Sequence, residues 1–305
     1  MARAIASPSF KINCGKIAIV ISSIVKHVNL SGLGEKVRAL RTRMYPRKVM
    51  FVHVPKSGGT SLSHMLRARY FLSFAKISEE ASTSACRQMS KDEWFDFKRC
   101  LAAYHAESGI GYIQGHFCIN EEFLDAYQAR YRIVTLLRHP VDRFISHYFF
   151  DDRYSSVSLE EFVKTPVAYS EAHVLCHFFG DLKWEQPTED NDMEATVSTA
   201  IGNLRRLPVV GVLDKEDDFV DACKRELGIS LALPKRNVGV ARNASSTRIS
   251  EQLLSEITEL CRDDLRIYEY AVQASARTGL NASQAEMENR RVKSTNGDQN
   301  VVKPY

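Results

Sequence analysis

The segment Pro55-Lys56-Ser57-Gly58-Gly59-Thr60-Ser61 concentrates the residue types that hold an anion. Gly58 and Gly59 allow a tight turn whose N–H groups point inward. Thr60 and Ser61 add hydroxyl donors, and Lys56 adds a full positive charge. A second segment, Leu137-Arg138-His139-Pro140-Val141-Asp142-Arg143-Phe144-Ile145-Ser146, offers a guanidinium at Arg138 and a hydroxyl at Ser146, in the second turn of the helix that Pro140 opens. Arginine suits bidentate phosphate binding. Two such sites fit one ligand with two anionic ends, such as a nucleotide charged on both sides of its ribose. The first segment is not a Walker A loop, G-x-x-x-x-G-K-[ST], because Lys56 precedes the glycines. The plain alternatives are a Gly-rich turn that binds nothing and an Arg138–Asp142 ion pair; Arg143 is better suited to a structural ion pair.

Both segments need a strand before them and a helix after them. Arg47–Val54 and Arg132–Leu137 are β-branched, apolar runs that read as buried strands. Ser61–Tyr70 follows with Leu62, Met65 and Leu66 on one helical face. Pro140 suits a first helical position, and that helix runs to about Phe150. Gly111–Phe117 and Leu207–Leu213 read as further strands. Residues 78–108, Glu121–Arg130, Leu159–Lys164, Ser170–Phe179, Phe219–Leu227 and Ser250–Ala271 read as helices, with an acidic loop at 185–193. Alternating buried strands and helices imply an α/β fold with a mostly parallel sheet.

Charge and cysteine content narrow the setting. The 305 residues carry 41 Lys+Arg and 37 Asp+Glu, a net charge of +4. Residues 1–48 hold ten basic residues and only Glu35 against them, a balance of +9, which leaves the rest at −5. An acidic body argues against nucleic acid as a partner. The basic arm includes the apolar stretch Ile17–Val25, too short to span a bilayer. Packing on the domain, a loose arm and a peripheral membrane contact are all open to it. Seven scattered cysteines without a CxxC fit reduced thiols and a cytoplasmic location.

Together, FVHVPKSGGTS at 51–61 and LLRHPVDRFISHY at 136–148 resemble the two nucleotide motifs of the sulfotransferase superfamily, in the same order. The nearest branch is the group with uronyl and heparan sulfate 2-O-sulfotransferases and related bacterial enzymes. LRRLPVVGVLD at 204–214, LPKRNV at 233–238 and DDLRIYEY at 263–270 extend the resemblance more weakly. It implies a P-loop-like three-layer domain over residues 47–272, between an arm at 1–46 and a polar tail at 273–305. It implies 3′-phosphoadenosine 5′-phosphosulfate (PAPS) as donor and a hydroxyl or amine acceptor, read here as a carbohydrate-type hydroxyl with a small-molecule acceptor also open; no metal is required if fixed donors neutralise the leaving oxygen. Lys56, Ser57, Gly58, Gly59, Thr60 and Ser61 would hold the 5′ end; Arg138 and Ser146 would hold the 3′-phosphate. His116 in Tyr112-Ile113-Gln114-Gly115-His116 matches the second histidine of a similar Tyr-His-Gly-His segment that carries the base in the 2-O-sulfotransferases, and Gln114 stands at the first. Lys56 would stabilise the leaving charge.

Other groups compete for roles. His53 falls within the first strand and is expected to pack beneath the loop, and His139 belongs to the turn after Arg138. His173, Cys176 and His177 have helical spacing but lack a further ligand for zinc. Lys235, Arg236 and Arg242 form a basic run that could close over the donor or grip an acidic acceptor, with Gln114 a further substrate candidate. A nucleotide-dependent kinase of similar topology and a non-catalytic nucleotide-binding module are the rival readings.

Overall fold

The computed structural model describes residues 44–45, 47–185, 192–229 and 249–275. Residues 1–43, most of the acidic loop, the basic run with Arg236 and Arg242, and nearly all of the expected tail lie outside the described residues.

Five strands, β1 (Lys48–Val52), β2 (Phe74–Lys76), β3 (Tyr112–Gly115), β4 (Tyr131–Leu137) and β5 (Val209–Val212), form one sheet in the order β2-β3-β1-β4-β5. Every pairing is parallel: Phe51 lies opposite Gln114 on one side and Val134 on the other. The helices are α1 (Thr60–Arg69), α2 (Glu79–Ala85), α3 (Lys91–Glu107), α4 (Glu121–Tyr127), α5 (Pro140–Phe150), α6 (Leu159–Phe162), α7 (Pro166–Ala172), α8 (Val174–Phe179), α9 (Met193–Arg205), α10 (Glu216–Leu227), α11 (Glu251–Leu260) and α12 (262–275).

The strand period of two divides the core. Val49 and Phe51 point to one face and pack with Leu62 and Leu66 of α1 and Phe219 and Cys223 of α10. Met50 and Val52 point to the other and join Ala102 of α3, Leu124 of α4, Ala200 of α9 and Ile267 of α12. The result is helix, sheet, helix. A third cluster, with Phe144, Phe162, Ala172 and Ile257, fixes α5 against α6, α7 and α11.

Three expected helical stretches are divided: 78–108 between α2 and α3, 170–179 at His173, and 250–271 at Cys261. The last two breaks let fully buried Asp264 accept the Leu175 and Cys176 N–H groups at the start of α8, at 2.7 and 3.0 Å. Strand β2 and helix α9 add to the elements read from the sequence.

From β1 the chain first winds to β2 and β3, then crosses to β4 and β5. In open parallel sheets a ligand crevice forms at such a reversal, outside the carboxyl ends of the strands. Lys56, His116 and Arg138 all follow strands that end at this edge.

Candidate active site

The loop from β1 into α1 has a strained, tightly packed backbone. Gly58 has φ 78°, and Lys56 has φ 65°, a left-handed conformation that costs a non-glycine residue roughly 1–2 kcal/mol. Such strain is found where function holds it in place. A Cβ at Gly59 would lie 2.6 Å from Phe51 Cζ and 2.8 Å from His53 Nε2, so only glycine fits there. Gly59 is also the N-cap of α1 and supplies no side-chain cap, leaving the first N–H groups of the helix without the usual hydroxyl or carboxylate partner. By contrast, Ser78, Ser90, Asn120, Ser158, Thr165, Asp192 and Ser250 each cap their helices. Ser57 is completely buried, and its hydroxyl has no hydrogen-bond partner. Thr60 is exposed and Ser61 half-buried on the first turn.

The second segment meets the first. Arg138, at the end of β4, donates from Nη1 to the Lys56 carbonyl at 3.4 Å, across 82 residues of sequence. No ion pair joins it to Asp142 among the described residues. Arg143 takes the structural role instead: it is 1 % exposed and pairs with Glu171 through Nη1 at 3.4 Å. Ser146 is buried on α5, whose N-cap, His139, also gives no side-chain cap. The His139 ring packs edge-on against Tyr268 of α12 at 5.5 Å.

Lys56 and His116 line one cavity of about 940 Å³. The Lys56 ammonium sits 3.4 Å from the centroid of the Phe150 ring. Its pKa is held below the usual lysine value by burial first, then by Arg138 and Arg143. His116 donates from Nδ1 to the His53 carbonyl, which can only accept, so Nε2 carries the free lone pair. Burial keeps the His116 pKa below that of an ordinary histidine, which leaves the ring neutral near pH 7. His53 lies beneath the loop as expected, between Phe51 at 5.0 Å and His116 at 4.7 Å. Burial and the neighbouring His116 push its pKa down to about 3.

The remaining walls of the cavity are aromatic and charged. Trp94 and Trp184, the two tryptophans of the chain, line it with Phe150 and Tyr154. Trp184 stacks on Phe95 at 4.4 Å, and the Lys91 ammonium lies 3.9 Å from its ring centroid. Glu171 joins the charges, with Lys91 Nζ at 3.9 Å and His147 Nε2 at 3.6 Å beside Arg143. Sequence reasoning missed this wall.

Gln114 is not brought to the cavity. Its side chain is buried on the α1 face of β3, where Oε1 accepts from Ser63 Oγ and, at 2.6 Å, from the Tyr112 hydroxyl. The His173, Cys176 and His177 trio is also engaged elsewhere: His173 with Tyr169 and Asp263, His177 with Leu182 and the Trp184 ring. Among the described residues no group of histidine, cysteine or carboxylate side chains could hold a metal.

A candidate anion loop after β1, a cation after β4 and a histidine after β3 gather at the carboxyl edge of a parallel sheet, where α/β proteins bind ligands. A family model described as Sulfotransferase family matches residues 42–271, and the chain belongs to that family. No curated protein matches the sequence closely enough to add to this assignment.

Proposed function

We propose that the protein transfers a sulfuryl group from PAPS to a hydroxyl of a carbohydrate-type acceptor, with His116 as general base. The observation that carries this reading is the shared cavity: Lys56 and His116 reach it from different strand ends, one with a cation and one with a free imidazole nitrogen.

The donor supplies an activated sulfuryl group and two anionic ends. The residues present fit such a ligand. Lys56 and Arg138 have no carboxylate partner among the described residues, the N-termini of α1 and α5 are uncapped, and Ser57 carries an unpaired buried hydroxyl. Lys56 to Ser61 would hold the 5′ end, and Arg138 with Ser146 the 3′-phosphate. In-line transfer then needs a base on the acceptor side and a cation at the leaving oxygen. Nε2 of His116 takes the acceptor proton while the Nδ1–H bond to His53 keeps the ring oriented. Lys56 neutralises charge that grows on the leaving oxygen. The exposed Phe150 ring and the half-buried Trp94 ring, flanked by charged groups, suit a sugar ring with polar edges and apolar faces.

The test is transfer of labelled sulfate from PAPS to a panel of glycans, glycolipids and small hydroxyl compounds, read by mass spectrometry. Adenosine 3′,5′-bisphosphate should raise the melting temperature more than ATP with Mg²⁺. Stronger stabilisation by ATP would overturn the donor assignment in favour of a kinase. Transfer to no acceptor would favour a binding module.

A further inference from the structure

The edge of the sheet opposite the active site is basic for a structural reason and apolar without one. Parallel strands all begin there, so the helices that run back along the sheet all end there. Both helices on the α1 face carry cations in their last turns: Arg67 and Arg69 in α1, Lys224 and Arg225 in α10, all exposed. Cations in a last turn offset the helix dipole, which accounts for them singly. Arg47 links the two helix ends: its Nη1 donates to the Glu226 carbonyl at 3.5 Å, and its own carbonyl accepts from the Tyr70 hydroxyl.

Dipole compensation does not explain Phe71 and Leu72. In the turn after α1, beside these arginines, they are 70 % and 50 % exposed. Met44, also exposed, lies where residues 1–43 join the domain, and Tyr45 fastens that junction to the same turn. The Tyr45 ring lies 4.9 Å from Tyr70, and its hydroxyl accepts the Leu72 N–H at 3.4 Å. Residues 1–43, with eight basic residues against Glu35, precede this junction in sequence.

We propose that this edge is a docking face for an anionic lipid bilayer, with Phe71 and Leu72 entering the interface and Arg47, Arg67 and Arg69 contacting the headgroups. Apolar side chains that project from a cationic surface match what an interfacial membrane contact requires. A soluble polyanion would use the cations and leave the two apolar side chains without a purpose. The arrangement also orients the enzyme. The cavity with Lys56 and His116 lies at the far end of the strands, roughly 17 Å away by strand rise. Donor and acceptor would then arrive from the aqueous side.

The experiment is co-sedimentation of the full chain with phosphatidylcholine vesicles, with and without phosphatidylserine, at low and high salt. Binding is expected only with phosphatidylserine and should fall at high salt. The double variant Phe71→Ser/Leu72→Ser should bind at least about tenfold more weakly, from the apolar area lost to the interface. Its melting temperature and its adenosine 3′,5′-bisphosphate binding should stay unchanged, since both side chains are exposed and distant from the cavity. The charge variant Arg67→Glu/Lys224→Glu should also weaken binding. Equal binding to phosphatidylcholine alone, or undiminished binding by Phe71→Ser/Leu72→Ser, would overturn the proposal. So would absence of vesicle binding with strong retention on heparin, which would assign the edge to a soluble polyanion.

Discussion

Replacing His116 by alanine tests the chemical core of the reading. The imidazole is oriented by one bond, Nδ1–H to the His53 carbonyl, and its Nε2 is the only acceptor on that ring. A positioned general base contributes about 10²- to 10⁴-fold. That corresponds to roughly 3–5 kcal/mol of transition-state stabilisation, at 1.36 kcal/mol for each factor of ten. His53 cannot substitute. Its ring is held between Phe51 and His116, and with a pKa of about 3 it is too weak a base. The pH profile adds a second readout. Burial lowers the His116 pKa, so the unprotonated form persists below pH 6.5, and the acid limb of kcat/KM should fall below that of a free imidazole. In His116→Ala that limb should disappear along with the rate. The assay is initial-rate sulfate transfer across pH 5 to 9, with adenosine 3′,5′-bisphosphate affinity measured in parallel, which should hold because the anion loops are untouched. A variant that keeps more than a tenth of the wild-type kcat, with the same acid limb, would refute the assignment of the base.

Three further outcomes follow from the same geometry. Arg138→Ala should weaken adenosine 3′,5′-bisphosphate by roughly 10- to 100-fold, the range for a lost charged hydrogen bond, and leave adenosine 5′-monophosphate nearly unchanged; titration calorimetry with both ligands separates the two ends, and equal losses would remove the 3′ role. Gly59→Ala places a Cβ 2.6 Å from Phe51 Cζ, and overpacking of this kind costs about 1–3 kcal/mol; denaturant unfolding should show that loss with a larger loss of donor binding, and a normal midpoint would show that the loop relaxes freely. Lys98 is fully buried with its ammonium 3.4 Å from Glu79, and burial lowers its pKa to about 8. The folded state then binds fewer protons than the unfolded chain between pH 8 and the usual lysine value, so stability should rise with pH across that window. Lys98→Met should flatten that rise, whose full size is about 3 kcal/mol, and should unfold no more easily than wild type at pH 7; clear destabilisation there would contradict it.

The legible part of the fold was the part written in apolar runs. β1, β3, β4 and β5 each present consecutive buried residues, and their parallel arrangement follows from the helices between them. β2 went unseen because it has three residues, none buried. α9 went unseen because its core face relies on Val197, Ala200 and Leu204, spaced among small and polar residues that give a weak period. The breaks at His173 and Cys261 were invisible for a different reason. They allow Asp264 to receive two backbone N–H groups almost ninety residues away in sequence, and no local pattern carries that bond.

The candidate site divides in the same way. Sequence by itself marked the candidate anion loop, because such a loop is local chemistry: glycines, hydroxyls and a cation within seven residues. It also marked Arg138 and His116 as candidates. Only the tertiary structure decided that the Arg138 guanidinium meets the Lys56 carbonyl, that Nε2 of His116 is the free nitrogen, and that Gln114 turns toward Ser63 instead of the cavity. The cavity wall of Trp94, Phe150, Glu171 and Trp184 came from tertiary structure alone. Its members lie on separate elements and meet only through packing, so no spacing in the chain records them.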